Sequence, residues 1–210
     1  VASRLLDNNP VNEDMNQAGE LVDVAFGINI VVNTKSKHSK LFCGDFHDAW
    51  IKSCKYVDDC YGVPIEKEAD IVIASCGGYP KDINLYQSTK SIFNAARAVK
   101  KGGTVIFLAE CREGGGAPDF FSWIEPLKRG VLDEELRANF TIGGYIFYAL
   151  CEAIAKSKML MLSEIDPKFV KDLNINSYKN IDELLEKVDF EGKDVCVLPY
   201  GGSVVPLLQD

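Results

Sequence analysis

Residues 69–90 read ADIVIASCGGYPKDINLYQSTK, and the parsing of this stretch decides the fold. The apolar run Ile71–Ala74 breaks at Cys76-Gly77-Gly78-Tyr79-Pro80, and a helical pattern opens a few residues later. A strand entering a glycine turn that feeds a helix is the repeating unit of open α/β sheets. Ligands collect at such turns because backbone amides and the helix N-terminus converge there.

Outward from this stretch, a helix is expected from about Ile83 to Lys101, closed by basic residues and Gly102-Gly103. Thr104–Ala109 is a near-continuous apolar run, the signature of a strand covered on both faces, and exits into the polar glycine-rich turn Glu110–Gly116. Short helices are expected at Asp119–Leu127 and Asp133–Asn139 and a longer one at Tyr145–Lys156. Lys158–Leu162 and Val195–Leu198 supply two more strands, with a helix at Ile181–Val188 between them. Towards the N-terminus, Met15, Ala18, Leu21 and Val22 recur at helical spacing. Phe26–Asn33 and Leu41–Phe42 predict an antiparallel hairpin with a basic tip, TKSKHSK, and Phe46–Cys60 a helix that stops at Gly62. Strands alternating with helices imply an α/β fold: a mostly parallel, Rossmann-like sheet with helices on both faces and an antiparallel hairpin near the N-terminus. A single domain over residues 1–210 is the simplest expectation.

The 210 residues carry 47% hydrophobic content, enough for an ordinary core. A formal net charge of −8 argues against general binding to nucleic acid or anionic membranes. The chain has neither an apolar run of bilayer length nor a signal-peptide core, so a soluble, cytoplasmic protein is expected. Seven cysteines, an odd number without a C-x-x-C pair, suggest neither a disulfide framework nor a zinc site. His38 and His47 form no metal-ligand set with their neighbours, and no metal site is expected in this chain.

Parallel strands place their carboxyl ends on one rim, so Cys76–Pro80, Glu110–Gly116, Ser163–Glu164 and Pro199–Gly202 should gather there. The Cys-Gly-Gly-Tyr-Pro turn is not G-x-G-x-x-G, which leaves a dinucleotide site poorly supported. Cys76 and Cys111 leave two strands, but neither histidine is placed to activate them, and both read as packing residues. Arg112 can hold an anion or pair locally with Glu110. On the helix after the turn, Leu85, Ile92, Ala96 and Val99 share one stripe, while Tyr86, Gln87, Lys90, Asn94 and Arg97 fall opposite. A lysine in the first turns opposes the helix dipole by up to about 1 kcal/mol, a cost relieved if an anion comes to it. Two readings stand side by side: a solvated face with Asn84 and Gln87 as a capping box, or half of a binding face. The chain offers no convincing set of base, nucleophile and metal ligands, so it either binds without catalysing or shares its site with other polypeptide.

Asn9–Met15, Tyr61-Gly62-Val63-Pro64, Ala69–Ile73, Gly77-Gly78-Tyr79-Pro80, Asp82–Gln87 with Lys90, and Ala109–Gly114 together resemble the C-terminal domain of the nickel-dependent lactate racemase family. The resemblance implies a two-domain protein whose cleft holds the active site. The N-terminal domain of that family supplies the lysine carrying a nickel pincer nucleotide, a histidine ligand to nickel, and the acid and base histidines. No catalytic residue is therefore expected in this chain, and the chain alone should be inactive. The resemblance further implies that Tyr86, Gln87 and Lys90 face cofactor and substrate; Gly77, Gly78 and Tyr79, from their place at the strand exit, join them as binding candidates, with Arg112 and Glu110 as lesser ones. The implied reaction is racemisation or epimerisation of a small 2-hydroxy acid by hydride transfer to the cofactor. Where the family is expected to open a later helix with Gly-Gly-His-Lys, this chain has Gly143-Gly144-Tyr145-Ile146, a departure that bears on substrate choice. The alternatives are a free-standing nucleotide-binding domain and a non-catalytic interaction module.

Overall fold

The structure is a computed structural model that describes residues 4–33 and 37–209. It divides into two compact units, one up to Gly62 and one from Val63 onward.

In the first unit, helix α1 (Pro10–Glu20) begins where Asn9 accepts a hydrogen bond from the Val11 amide at 3.2 Å, with proline in the first turn. Strands β1 (Gly27–Val32) and β2 (His38–Gly44) form the expected antiparallel hairpin. Of its basic tip, residues 34–36 lie outside the described residues. Helix α2 (Phe46–Tyr61), capped by Asp45, packs on one hairpin face through buried Ala49 and Ser53. The other face leaves Ile28, Ile30 and Leu41 exposed.

The second unit opens within β3 (Gly62–Ile65), which pairs with the last strand, β9 (Val205–Leu208), apart from the main sheet. The main sheet is built from β4 (Ala69–Ser75), β5 (Val99–Leu108), β6 (Lys158–Leu162), β7 (Ile175–Tyr178) and β8 (Val195–Leu198). Its order is β7-β6-β5-β4-β8, and every pairing is parallel. Between β4 and β5 runs α3 (Leu85–Ala98). The β5–β6 crossover carries α4 (Pro118–Phe121), α5 (Ile124–Arg129), α6 (Leu132–Ala138) and α7 (Ile142–Ala155), and α8 (Pro167–Val170) and α9 (Ile181–Leu185) follow β6 and β7.

Side-chain alternation assigns the two faces. Val72, Ala74, Val105, Phe107, Met159 and Met161 join the core under α3 and α7. Ile71, Ile106 and Leu160 point the other way and meet Leu184 of α9. From β4 to β7 the chain steps in one direction, so right-handed crossovers keep its helices on one face. The return to β8 reverses the step and places α9 on the opposite face. The order therefore switches between β4 and β8, the place where such sheets open a crevice at the carboxyl ends of their strands.

The helix expected to reach Lys101 ends at Ala98, and β5 starts at Val99, paired with Ala69. Gly102 and Gly103 are not a helix terminus: they lie inside β5, where a Cβ on Gly103 would sit 2.7 Å from the Asp70 carbonyl oxygen. At the same end of the sheet Asp70 accepts from Lys100 Nζ at 2.9 Å and from the Asp194 amide at 3.0 Å, which ties the starts of β4, β5 and β8.

Candidate functional site

Helix α3 starts where the chain has left β4 through Gly77 and Gly78, whose φ values of 85° and 81° lie in the region that only glycine adopts without strain. Asn84 caps it, its Oδ1 accepting from the Gln87 amide at 2.9 Å. The Leu85 and Tyr86 amides donate to the carbonyls of Gly114 and Gly115 at 2.9 and 3.2 Å, and the Ser88 amide to the Asn84 carbonyl. Every amide of the first turn thus has a partner within the chain. The glycine loop 110–116 occupies the helix end that a nucleotide phosphate would need, which removes the physical basis for a phosphate-binding turn.

The crevice lies further along the helix. A cavity of about 520 Å³ is lined by Pro80, Lys81, Ile83, Gln87, Lys90, Ser91 and Gly202. Its walls are the turn after β4, the outward face of α3 and the turn after β8. Close approach of the last two depends on glycine: a Cβ on Gly202 would stand 2.9 Å from Ser91 Oγ, and one on Gly201 3.2 Å from the Ser75 carbonyl oxygen. Asn94 Nδ2 donates to the Gly201 carbonyl at 2.7 Å and pins that turn to α3.

Of the residues predicted from sequence, the structure brings Gln87 and Lys90 together in this cavity, with Lys90 Nζ donating to Gln87 Oε1 at 3.2 Å. Gln87 is therefore no partner in a capping box; Asn84 caps alone. Tyr86 lies half-buried on the flank of α3, its ring edge-on to Phe120 at 5.4 Å. Gly77, Gly78 and Tyr79 form the exposed turn leading to Pro80, and Tyr79 is 74% exposed. Arg112 forms an ion pair with Glu110, and Glu110 lines a separate cavity of about 390 Å³ with Asp82, Ser163, Glu164 and Lys179. Lys81 and Ser91, which sequence reasoning passed over, line the cavity with Gln87 and Lys90. The i, i+4 spacing of Gln87 and Ser91 on one helix was the available signal for the second.

Burial pushes the Cys76 thiol up, and pushes Cys111 up to about 11. Both sit in the core beside Ser88, in keeping with packing roles rather than nucleophilic ones. Among the described residues no group of three or more His, Cys, Asp and Glu side chains could hold a metal ion, and no helix is long and apolar enough to cross a membrane.

Residues 65–206 match the lactate racemase C-terminal domain family. This chain belongs to the lactate racemase family. It is 32% identical to the lactate racemase of Thermoanaerobacterium thermosaccharolyticum over 96% of its own length, and 28% identical to that of Lactiplantibacillus plantarum over 95%. The chain spans about half the length of these curated relatives, 49% in each case. The solved lactate racemase apoprotein from T. thermosaccharolyticum superposes with a TM-score of 0.87 at 32% identity, covering 97% of this chain and 51% of that one. A protein from Thermotoga maritima shares the fold at a TM-score of 0.66 and 14% identity. The cavity residues Pro80 to Gly202 all fall inside the stretch matched to the racemase C-terminal domain.

Proposed function

We propose that this chain is the substrate- and cofactor-capping part of a 2-hydroxy acid racemase or epimerase of the lactate type. The observation that carries the reading is the cavity at the β4/β8 switch point, where Gln87 and Lys90 of α3 converge within the racemase-matched region. A cationic Lys90 offers a charge-assisted hydrogen bond to the carboxylate of a 2-hydroxy acid. Gln87 can orient a hydroxyl or carboxylate oxygen, and Pro80 and Ile83 give an apolar wall that limits water. Tyr86 belongs to this reading as a flank of α3 beside the cavity, and Gly77, Gly78 and Tyr79 as the turn that brings Pro80 and Lys81 into place.

A nickel pincer nucleotide is the cofactor this reading expects. The donors here are an amide, hydroxyls and ammonium groups, which suit the anionic groups of such a cofactor or of the substrate and do not suit the metal itself. When bound, that group would supply hydride acceptance and return at the substrate carbon. The residues of this chain would then bind the carboxylate, fix the substrate's orientation and shield it. Metal ligands and the acid and base would come from polypeptide corresponding to the half of the relatives that this chain leaves unmatched, and the chain alone should be inactive.

The test supplies the chain with a cofactor-loaded N-terminal half of a lactate racemase, fused or mixed, and follows D- and L-lactate by chiral chromatography. Interconversion is expected only with both parts. Lys90→Ala should lower kcat/KM by about 30- to 100-fold, as loss of a charge-assisted contact to a reacting substrate predicts. Undiminished turnover in that variant would reject the role of this face.

A further inference from the structure

We infer that Lys81 and Lys90 form a two-lysine clamp for one oxyanion group, a carboxylate or a phosphate, across the β4/β8 crevice, an inference that rests on the reading of this cavity given above. The two ammonium groups reach the same cavity from different elements, Lys81 from the turn after β4 and Lys90 from α3. Lys81 Nζ donates to Ser203 Oγ at 2.9 Å, so this side chain bridges from the exit of β4 to the exit of β8. The turn that carries Ser203 is itself held to α3 by the Asn94–Gly201 bond. All three walls of the crevice are thereby joined around the two cations.

The telling feature is that two lysines with neutral tethers line one cavity. Elsewhere in this unit Lys67, Lys100, Lys128, Lys156 and Lys179 pair with carboxylates, and Lys158 donates to the Lys187 carbonyl away from this cavity. In the cavity each lysine is instead oriented by a neutral acceptor, a hydroxyl for Lys81 and an amide oxygen for Lys90. Neither makes an ion pair with a carboxylate among the described residues, although the chain has 31 acidic residues against 23 basic ones. A neutral tether fixes direction and leaves the charge uncompensated. Two uncompensated like charges facing one cavity repel, and an entering oxyanion relieves that repulsion while gaining two charge-assisted hydrogen bonds. Because the first-turn amides of α3 are already occupied, the positive potential for an anion at this rim has to come from these side chains.

The test titrates the 210-residue chain at low ionic strength, in separate arms, with inorganic phosphate and with lactate, following backbone amide shifts by NMR. Saturable shifts at Lys81, Gln87, Ser91 and Gly202 are expected in at least one arm, and should weaken as salt is raised. Response to phosphate alone points to a phosphate-bearing cofactor, and response to lactate alone to the substrate carboxylate; either upholds the clamp. Lys81→Gln and Lys90→Gln should each weaken the apparent Kd by about fivefold or more, and the surface control Lys168→Gln should leave it unchanged. Thermal melts of the three variants matching the parent would show that the fold is retained. The clamp is overturned if the parent chain gives no saturable response, if Lys81→Gln binds as tightly as the parent, or if Lys168→Gln weakens binding equally. Loss in Lys90→Gln without loss in Lys81→Gln removes the clamp and leaves the proposed function standing. Loss in both variants, with full turnover of Lys90→Ala in the two-part enzyme, upholds the clamp and removes that function.

Discussion

Gly144 has no room for a side chain. A Cβ there would lie 2.4 Å from Trp123 Cε2, and one on Gly143 would lie 2.4 Å from Asp119 Oδ2. In the fold this glycine pair lets α7 press against α4 and the indole preceding α5. Gly144→Ala should cost about 1–3 kcal/mol of stability, read from urea unfolding, because rigid ring atoms have to move. The thiols give a second residue-scale test. Cys76 and Cys111 are buried whereas Cys43 and Cys60 are exposed, so a thiol reagent should label the latter pair first. Burial raises the Cys111 thiol from 9.0 to about 11, so the folded chain keeps a proton that the unfolded chain sheds. Its contribution to stability is complete below pH 9 and is lost as pH rises towards 11. Thermal melts across that range should fall, and fall less in Cys111→Ser.

At the scale of elements, α3 carries both the cavity and the cap that starts it. Asn84→Ala should destabilise the unit by about 1 kcal/mol, measured by denaturant unfolding, through loss of the bond to the Gln87 amide. At the opposite end of the sheet, the Lys100 ammonium holds the Asp70 carboxyl below its usual range, aided by the Asp194 amide. A carboxyl depressed in the folded state stabilises above its unfolded value and loses that contribution as pH falls. Asp70→Asn should therefore melt below the parent at pH 7, and the gap should begin to narrow as pH drops below about 4 and go on narrowing as the folded-state carboxyl takes up its proton. This same junction explains a sequence error. Val99 continues the apolar stripe of α3 and is fully buried, so helical periodicity could not tell the last turn of α3 from the first residue of β5. Only the pairing of Val99 with Ala69 decided it. The pairing of β3 with β9 was equally hidden, because its four-residue strands stand at opposite ends of the unit's sequence.

Across the whole molecule, burial is unevenly shared. Among the described residues of the first unit only Asn9, Val31, Ala49 and Ser53 are buried, while the second unit holds both apolar clusters. A unit of this size with so few buried side chains has little of its own to oppose chain entropy. Hydrogen exchange should accordingly reach the amides of β1 and β2 well before those of β4, β5 and β6. Comparable protection in both hairpin and sheet would contradict that ordering.

The sequence by itself determined the local grammar: four strands of the parallel sheet, the helix that follows the glycine turn, the hairpin, and the polar face on which Gln87 and Lys90 lie. These are encoded by periodicity and turn chemistry over short distances, which a linear reading can recover. The tertiary structure decided which of those residues share a space. The switch of strand order between β4 and β8 brings Gly202 and Ser203 beside α3 and gives Lys81 a partner 122 positions away, while the β5–β6 crossover sets Phe120 against Tyr86. Such contacts are set by the order in which strands pair and by glycines that permit close approach. That order is a property of the folded sheet, and no local pattern in the chain records it.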